Sequence, residues 1–111
     1  MYRFLRGRNE NLQYYKGCAS AVQAYTIAYI HNLMGGNFDL SKIWERQQLT
    51  REQQEAIGII ANSIHQCLVD MAGDEPIVNL AKRKNTFKDV TMSILDFDTG
   101  DIRRKLLSET I

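Results

Sequence analysis

Apolar positions recur every three or four residues along most of this chain, which is the spacing of amphipathic helices. The first run extends from about Asn11 to Leu33 and predicts one long helix. Gly35 and Gly36 follow it and readily adopt the left-handed conformation on which helices commonly end. The apolar side of this predicted helix consists of Leu12, Tyr15, Ala19, Val22, Thr26, Tyr29, Ile30 and Leu33.

A second long helix is predicted from Thr50 to Ala72. Thr50, with Gln53 three residues later, fits a capping box, in which each side chain accepts a hydrogen bond from the backbone N–H of the other residue. Gly73 predicts the end of the helix. The residues predicted to form its apolar stripe are Ile57, Ile60, Ile64, Leu68 and Met71.

A short amphipathic helix between the two long ones carries Trp44, the only tryptophan of the chain. Asp39 or Ser41 is positioned to cap this helix. Leu40 and Ile43 share its apolar side with Trp44. Because the large apolar area of a tryptophan stabilises most when it is fully packed, we expect Trp44 to be buried against both long helices. The short helix is thus predicted to clamp the two long helices together.

Shorter helices are predicted in the last third of the chain. Pro76 opens one of them, and its apolar spacing extends to Ile94 across a break at 85–86. A turn at 98–101 precedes a last short helix over 102–108. No segment has the alternating pattern of a β-strand. The prediction is therefore an all-α fold, a compact bundle of about five helices in which the two long ones are antiparallel.

Composition indicates one soluble domain over residues 1–111. A chain of 111 residues is long enough for a single core, and 44% hydrophobic with 24% charged residues is ordinary for a globular protein. The formal net charge of +1 gives no argument for nucleic acid or membrane. No apolar run reaches transmembrane length, and the absence of a signal peptide predicts a cytoplasmic protein.

Basic residues are concentrated after Pro76. From 39 to 75 there are seven acidic and three basic residues, whereas from 76 to 89 there are four basic residues and one acidic residue. Basic side chains that contact phosphates supply much of the affinity of proteins for nucleic acids. The candidate nucleic-acid contacts are Lys82, Arg83, Lys84, Lys88, Arg103 and Arg104.

Aromatic residues near the start of the chain predict a protein interface. Phe4 lies in a leader in which arginines alternate with apolar residues, and Tyr14 and Tyr25 flank the apolar side of the first helix. Exposed apolar patches usually mark interfaces, where tyrosine is enriched. We therefore predict self-association, or docking onto an effector domain, through Phe4, Tyr14 and Tyr25.

Residue spacing does not indicate a catalytic or metal site. His31 and His65 lie on separate predicted helices, and neither shares a helix face with a cysteine or an acid. The acidic stretch at 96–101 lacks the glycine and glutamate positions of a calcium loop. Cys18 and Cys67 are expected to be buried free thiols. We expect no enzymatic activity, no metal or cofactor, and no small-molecule substrate.

The stretch 38–47, with its Asp-Leu-Ser-Lys-Ile-Trp-Glu-Arg-Gln run, is the most specific sequence feature. It resembles the C-terminal helical region of the abortive infection phage resistance (AIPR) proteins of bacteria. The resemblance runs from about Tyr14 to Asp89 and includes residues 14–16, 24–26 and 79–84. The chain departs from the family pattern at Phe87, where a tryptophan is expected.

The resemblance implies a role in phage defence. Family members are longer cytoplasmic proteins whose effector portion precedes this region. The chain would then be a non-catalytic interaction or regulatory module, a C-terminal part of a longer protein, that mediates self-association or docks the effector domain. The alternative is a nucleic-acid-binding helical module, which predicts that the basic segments 82–84 and 103–105 converge on one face with the arginine-rich leader.

Overall fold

The computed structural model describes the backbone of residues 12–45, 49–94 and 97–109, and the side chains of these residues except 12–20, 44 and 45. All regular secondary structure in these ranges is helical, which confirms the predicted all-α fold. The helices are α1 (Leu12–Met34), α2 (Ser41–Glu45), α3 (Arg51–Ala72), α4 (Ile77–Ala81), α5 (Thr86–Ser93) and α6 (Thr99–Leu106).

Helix α3 begins and ends where the sequence predicts. The side-chain oxygen of Thr50 accepts the backbone N–H of Gln53 at 3.0 Å, and the Gln53 side chain accepts the Thr50 N–H at 2.9 Å. These two bonds form the predicted capping box and satisfy two donors that a helix start leaves unpaired. At the other end, Gly73 has a φ of +60° and its N–H donates to the Val69 carbonyl at 3.3 Å.

The apolar stripe of α3 forms the centre of the core. Ile57, Ile60, Ile64 and Leu68 are fully buried, and burial of each side chain contributes roughly 1.5–3 kcal/mol. Met71, predicted to belong to this stripe, is instead 38% exposed. It lies at the last turn of α3, where its side chain faces an open cleft, so this part of the prediction is wrong.

Four helices, α1, α4, α5 and α6, pack against α3. The order of contacts along α1 shows its direction. Near its end, Tyr29 lies close to Arg103 of α6, which packs on the start of α3. One turn earlier, Tyr25 contacts Ala81, which follows the end of α3. The two long helices therefore run antiparallel, as predicted.

The helix predicted after Pro76 is divided into α4 and α5, so the described residues contain six helices rather than about five. Helix α4 ends at Ala81, and Asn85, directly before α5, has a φ of +72°, a left-handed conformation that asparagine tolerates better than most residues and that separates the two helices. The Thr86 hydroxyl donates to the Leu80 carbonyl at 2.9 Å, which links the two helices across the turn. The predicted break near 85–86 is thus confirmed.

Two shorter helices have side-chain caps. Helix α6 begins at Thr99, earlier than predicted, because the Asp98 carboxylate accepts the Asp101 N–H at 3.1 Å. Before α2, the Asp39 carboxylate accepts the N–H and the hydroxyl of Ser41, and these bonds lower the pKa of Asp39. Ile43 of α2 is fully buried. The Trp44 side chain lies outside the described residues, so its role as a clamp stays a prediction.

Gln53 joins the start of α3 to the end of α6. Besides its part in the capping box, its side-chain amide donates to the Leu106 carbonyl at 2.9 Å, and Gln53 is only 3% exposed. The carbonyl belongs to the last turn of α6, where helices leave their acceptors unpaired. One buried side chain therefore satisfies backbone groups of two helices, and its bond to Leu106 joins residues 53 positions apart in the chain.

Replacement of Gln53 by Ala is expected to lower the free energy of unfolding by about 1–3 kcal/mol, because it leaves buried backbone groups of both helices without partners. Urea denaturation followed by circular dichroism measures this change. Gln66→Ala is the matched control, since exposed Gln66 bonds only to Asp70 on its own helix, and it should change stability by less than about 0.5 kcal/mol. Equal losses in the two variants would contradict the assigned role of Gln53.

Candidate interaction site

A cleft of about 450 Å³ lies beside the second half of α3. One wall is formed by α3, and the other is formed by the end of α5 and the residues that follow it. Its lining is partly apolar and partly polar. The α3 wall comprises Ser63, Gln66, Cys67, Asp70 and Met71, and the opposite wall comprises Ser93, Ile94 and Phe97.

The α3 wall is one continuous helix face. Residues 63, 66, 67 and 70 are separated by three, four and seven positions, which brings their side chains to the same side of a helix. The side-chain amide of Gln66 donates to the Asp70 carboxylate at 2.9 Å, and both residues are exposed. The rim of the cleft therefore presents a carboxylate that retains further hydrogen-bonding capacity.

Two sulfur atoms line the cleft. The Cys67 thiol is 3.6 Å from the Met71 thioether, one helical turn away. Cys67 was expected to be buried but is only partly so. Ile94, which is buried, and Phe97, which is partly buried, face them. Methionine and cysteine are polarizable and methionine adapts its shape, so this lining suits a variable apolar side chain.

Helical spacing alone did not reveal the cleft. It assigned Met71 to the core because its position continues the stripe of Leu68. The sequence does contain one indication of the cleft, because the polar residues Ser63, Gln66 and Asp70 form a row beside that stripe. Such a row is ordinary for a solvated helix face, and it becomes a wall of the cleft only because α5 ends next to it.

Of the three predicted interface residues, only Tyr25 lies among the described side chains. Its hydroxyl donates to the Ala81 carbonyl at 2.6 Å, and its ring meets Phe87 edge-on with the centroids 5.7 Å apart. The residue is partly buried. These contacts hold α1 against α4 and α5, so the partly buried Tyr25 ring packs at least in part within its own chain. Phe4 and the Tyr14 side chain lie outside the described residues.

Two of the six candidate nucleic-acid contacts are paired with acids. Arg83 bonds to the Glu75 carboxylate. Arg104 bonds to Asp101 at 2.9 Å and to Glu52 at 3.4 Å, and its hydrogen bond is the main reason that the pKa of Asp101 is lowered. Carboxylates beside these guanidinium groups would repel a phosphate.

The two basic segments also lie at opposite ends of α3. Arg83 pairs with Glu75 beyond the last turn of α3, whereas Arg104 pairs with Glu52 in its first turn. At 1.5 Å per residue, these ends are roughly 30 Å apart. Lys82, Lys84, Lys88 and Arg103 are exposed and form no ion pair with a described residue. The two described basic segments therefore do not converge on one compact patch.

The described residues show no group of three or more histidine, cysteine or acidic side chains arranged to hold a metal ion. His31 is exposed and His65 is partly buried, on separate helices. None of the described helices combines the length and the apolar character that a membrane crossing requires.

Tyr25 and Tyr29 are expected to make stability fall at alkaline pH. Burial raises the pKa of both phenols above the ordinary value of 10.0. The two phenols contribute fully to the free energy of unfolding at pH values below the ordinary pKa. This contribution is lost as the pH rises through the raised pKa, because the unfolded chain releases these protons more readily. The free energy of unfolding, measured at neutral and alkaline pH, should show a decline that Tyr25→Phe reduces.

Tyr25→Phe should also cost about 0.5–1.5 kcal/mol at neutral pH, since it removes the bond to the Ala81 carbonyl. Tyr29→Phe is the control. Among the described residues the Tyr29 hydroxyl has no hydrogen-bond partner, so this variant should reduce the alkaline decline with little loss at neutral pH. A Tyr25→Phe protein as stable as the wild type at neutral pH would contradict the assigned bond.

Simultaneous replacement of Lys82, Arg83 and Lys84 by Gln should leave folding intact, because exposed charges contribute little to stability. Fluorescence anisotropy with labelled DNA or RNA should show weak binding for both proteins. If the segment contacts phosphates, wild-type affinity will fall steeply with added salt, and the slope will be smaller in the variant by roughly one unit for each lost contact. Such a result would restore the nucleic-acid alternative.

Comparisons with protein-family models, with curated proteins and with solved structures find no match for this chain.

Proposed function

We propose that this chain is a helical interaction module of a bacterial phage-defence protein. The observation that carries the proposal is the cleft beside α3, which combines an apolar interior with a carboxylate at its rim. Interfaces commonly have this organisation, with an apolar centre and a polar rim. Met71 on the wall of the cleft and Ile59 two turns before its centre are exposed, so apolar surface extends beyond the cavity itself.

The module would act through association. The AIPR resemblance implies that it belongs to a longer cytoplasmic protein whose effector portion is elsewhere. A non-catalytic domain in that position regulates the effector by bringing copies together or by docking onto it. The bundle supports such a role because α3, one wall of the cleft, is held by four other helices, and binding sites on rigid elements hold their geometry well.

Nucleic-acid binding remains the alternative role, but the ion pairs of Arg83 and Arg104 and the separation of the two basic segments argue against it. No described feature argues comparably against protein binding. Protein association is therefore the function that the geometry supports best.

Phage challenge of bacteria that carry the complete gene tests this proposal. Ser93→Trp places a large ring at the mouth of the cleft from an exposed position, and it should raise the plaque count to that of an empty vector. Met92→Trp is the matched control, because Met92 is 60% exposed on the same helix but does not line the cleft. It should protect as well as the wild type.

Circular dichroism should show that both variants are folded. Full protection by Ser93→Trp would show that the cleft is not needed for defence. A wild-type gene that gives no protection against any phage tested would overturn the assignment to phage defence.

A further inference from the structure

Both segments that form the cleft contain acidic residues and neither lysine nor arginine. Residues 52–81, which include the α3 wall, have five acids, and residues 89–102, which include the opposite wall, have four. Asp70 at the rim is exposed, accepts a bond from the neutral amide of Gln66, and forms no ion pair with a described residue. The apolar part of the lining includes Met71, Ile94 and Phe97. The cleft therefore has the chemistry to accept a segment that is both apolar and cationic.

The first eight residues of the chain have this complementary chemistry. This leader, residues 1–8, contains three arginines and no acidic residue, and large apolar residues lie between the arginines in its sequence Met-Tyr-Arg-Phe-Leu-Arg-Gly-Arg. The other two basic segments, 82–84 and 103–105, belong to the bundle and do not line the cleft. The leader is thus the segment of this chain that matches the cleft in charge and in apolar character.

The direction of α1 brings the leader to the end of α3 at which the cleft lies. The two long helices are antiparallel and have 23 and 22 residues, so α1 begins toward the end of α3. Phe4 precedes Leu12 by eight positions, and an extended chain of that length spans roughly 26–29 Å. A helix with its side chains is about 10–12 Å across. Phe4 can therefore reach the cleft from the start of α1, on either side of α3.

Resting on the proposed interaction role, which it makes more specific, we propose that the cleft binds the leader of its own chain. Phe4 enters the apolar part of the cleft, and Arg3 and Arg6 beside it pair with Asp70, because charge-assisted bonds between arginine and carboxylate are strong. The leader of the same chain is favoured over that of a second copy, since a short tether gives an effective concentration of the order of millimolar. In the longer protein that the resemblance implies, this contact ties the segment preceding α1 to the bundle.

Disulfide capture tests the contact in the full chain. In a Cys18→Ser background, Leu5→Cys should form a disulfide with native Cys67 under mild oxidation, because a docked Phe4 brings the two Cα atoms within the roughly 7 Å that a disulfide requires. A faster-migrating monomer on a non-reducing gel, and mass spectrometry of the joined peptides, identify this intrachain bond. Phe4→Ala should slow its formation about tenfold.

The matched control moves the thiol to another side of α3. Cys67→Ser combined with Asn62→Cys places it at an exposed position that does not line the cleft, and capture by Leu5→Cys should be at least about tenfold slower there. Equally fast capture at both positions would show random collision and overturn the proposal. A disulfide between Leu5→Cys and Cys67 that joins two chains would also overturn it, because the cleft would then bind the leader of a second copy.

Charge exchange tests the pairing at the rim. Asp70→Arg should slow capture by about tenfold or more, because like charges then meet, and adding Arg3→Glu and Arg6→Glu should restore most of the original rate. An arginine near Cys67 favours the reactive thiolate, so slower capture in Asp70→Arg cannot result from a less reactive thiol. Glu109→Arg is the control, because it makes the same charge change at an exposed position beyond α6, near the start of α3. Unchanged capture in Asp70→Arg, or no recovery in the combined variant, would overturn the pairing.

These measurements separate the inference from the proposed function. Failure of capture while Ser93→Trp still loses phage protection would leave the cleft its interaction role with another partner, and only the inference about the leader would fall. Capture that follows the charge exchange while Ser93→Trp keeps full protection would support the inference and remove the phage-defence role of the cleft.

Discussion

The fold depends on covering one apolar stripe of α3. Ile57, Ile60, Ile64 and Leu68 follow the helical repeat along this helix, and their burial requires partners on that side along most of its length. Helices α1, α4, α5 and α6 provide those partners. None of the last three exceeds eight residues, and helices so short are not stable alone in water. They therefore depend on α3 as much as α3 depends on them.

Polar groups determine where each short helix lies once the stripe is covered. Gln53 bonds to the last turn of α6, and the Tyr25 hydroxyl bonds to the carbonyl of Ala81 at the end of α4. Both bonds involve carbonyls at helix ends, which need partners when they are buried. Burial of the apolar stripe favours packing of the helices but does not fix their orientation, because the hydrophobic effect is non-directional. These hydrogen bonds fix where the short helices lie.

The cleft results from the same construction. Helix α6 begins at Thr99 after its cap Asp98 and contacts the start of α3 through Glu52, Gln53 and Glu55, while α5 ends beside the second half of α3. The space between them is the part of α3 that α1 and the three short helices leave uncovered. The exposed ion pairs of Arg104 and Lys105 with Glu52 and Glu55 keep α6 aligned with α3 and contribute modestly to stability. The position of α6 and the cleft are therefore two results of one packing arrangement.

Periodicity and local capping were sufficient to predict the all-α fold, the bounds of α3 with its Thr50–Gln53 box, and the break near Asn85, because each depends on residues within a few positions of one another. The tertiary structure alone decided that Met71 faces a cleft, that Tyr25 packs on Phe87, and that Arg83 and Arg104 lie at opposite ends of α3. A helical repeat shows which residues share a face. Whether that face meets a neighbouring helix or solvent depends on where distant segments end, and no local pattern encodes this.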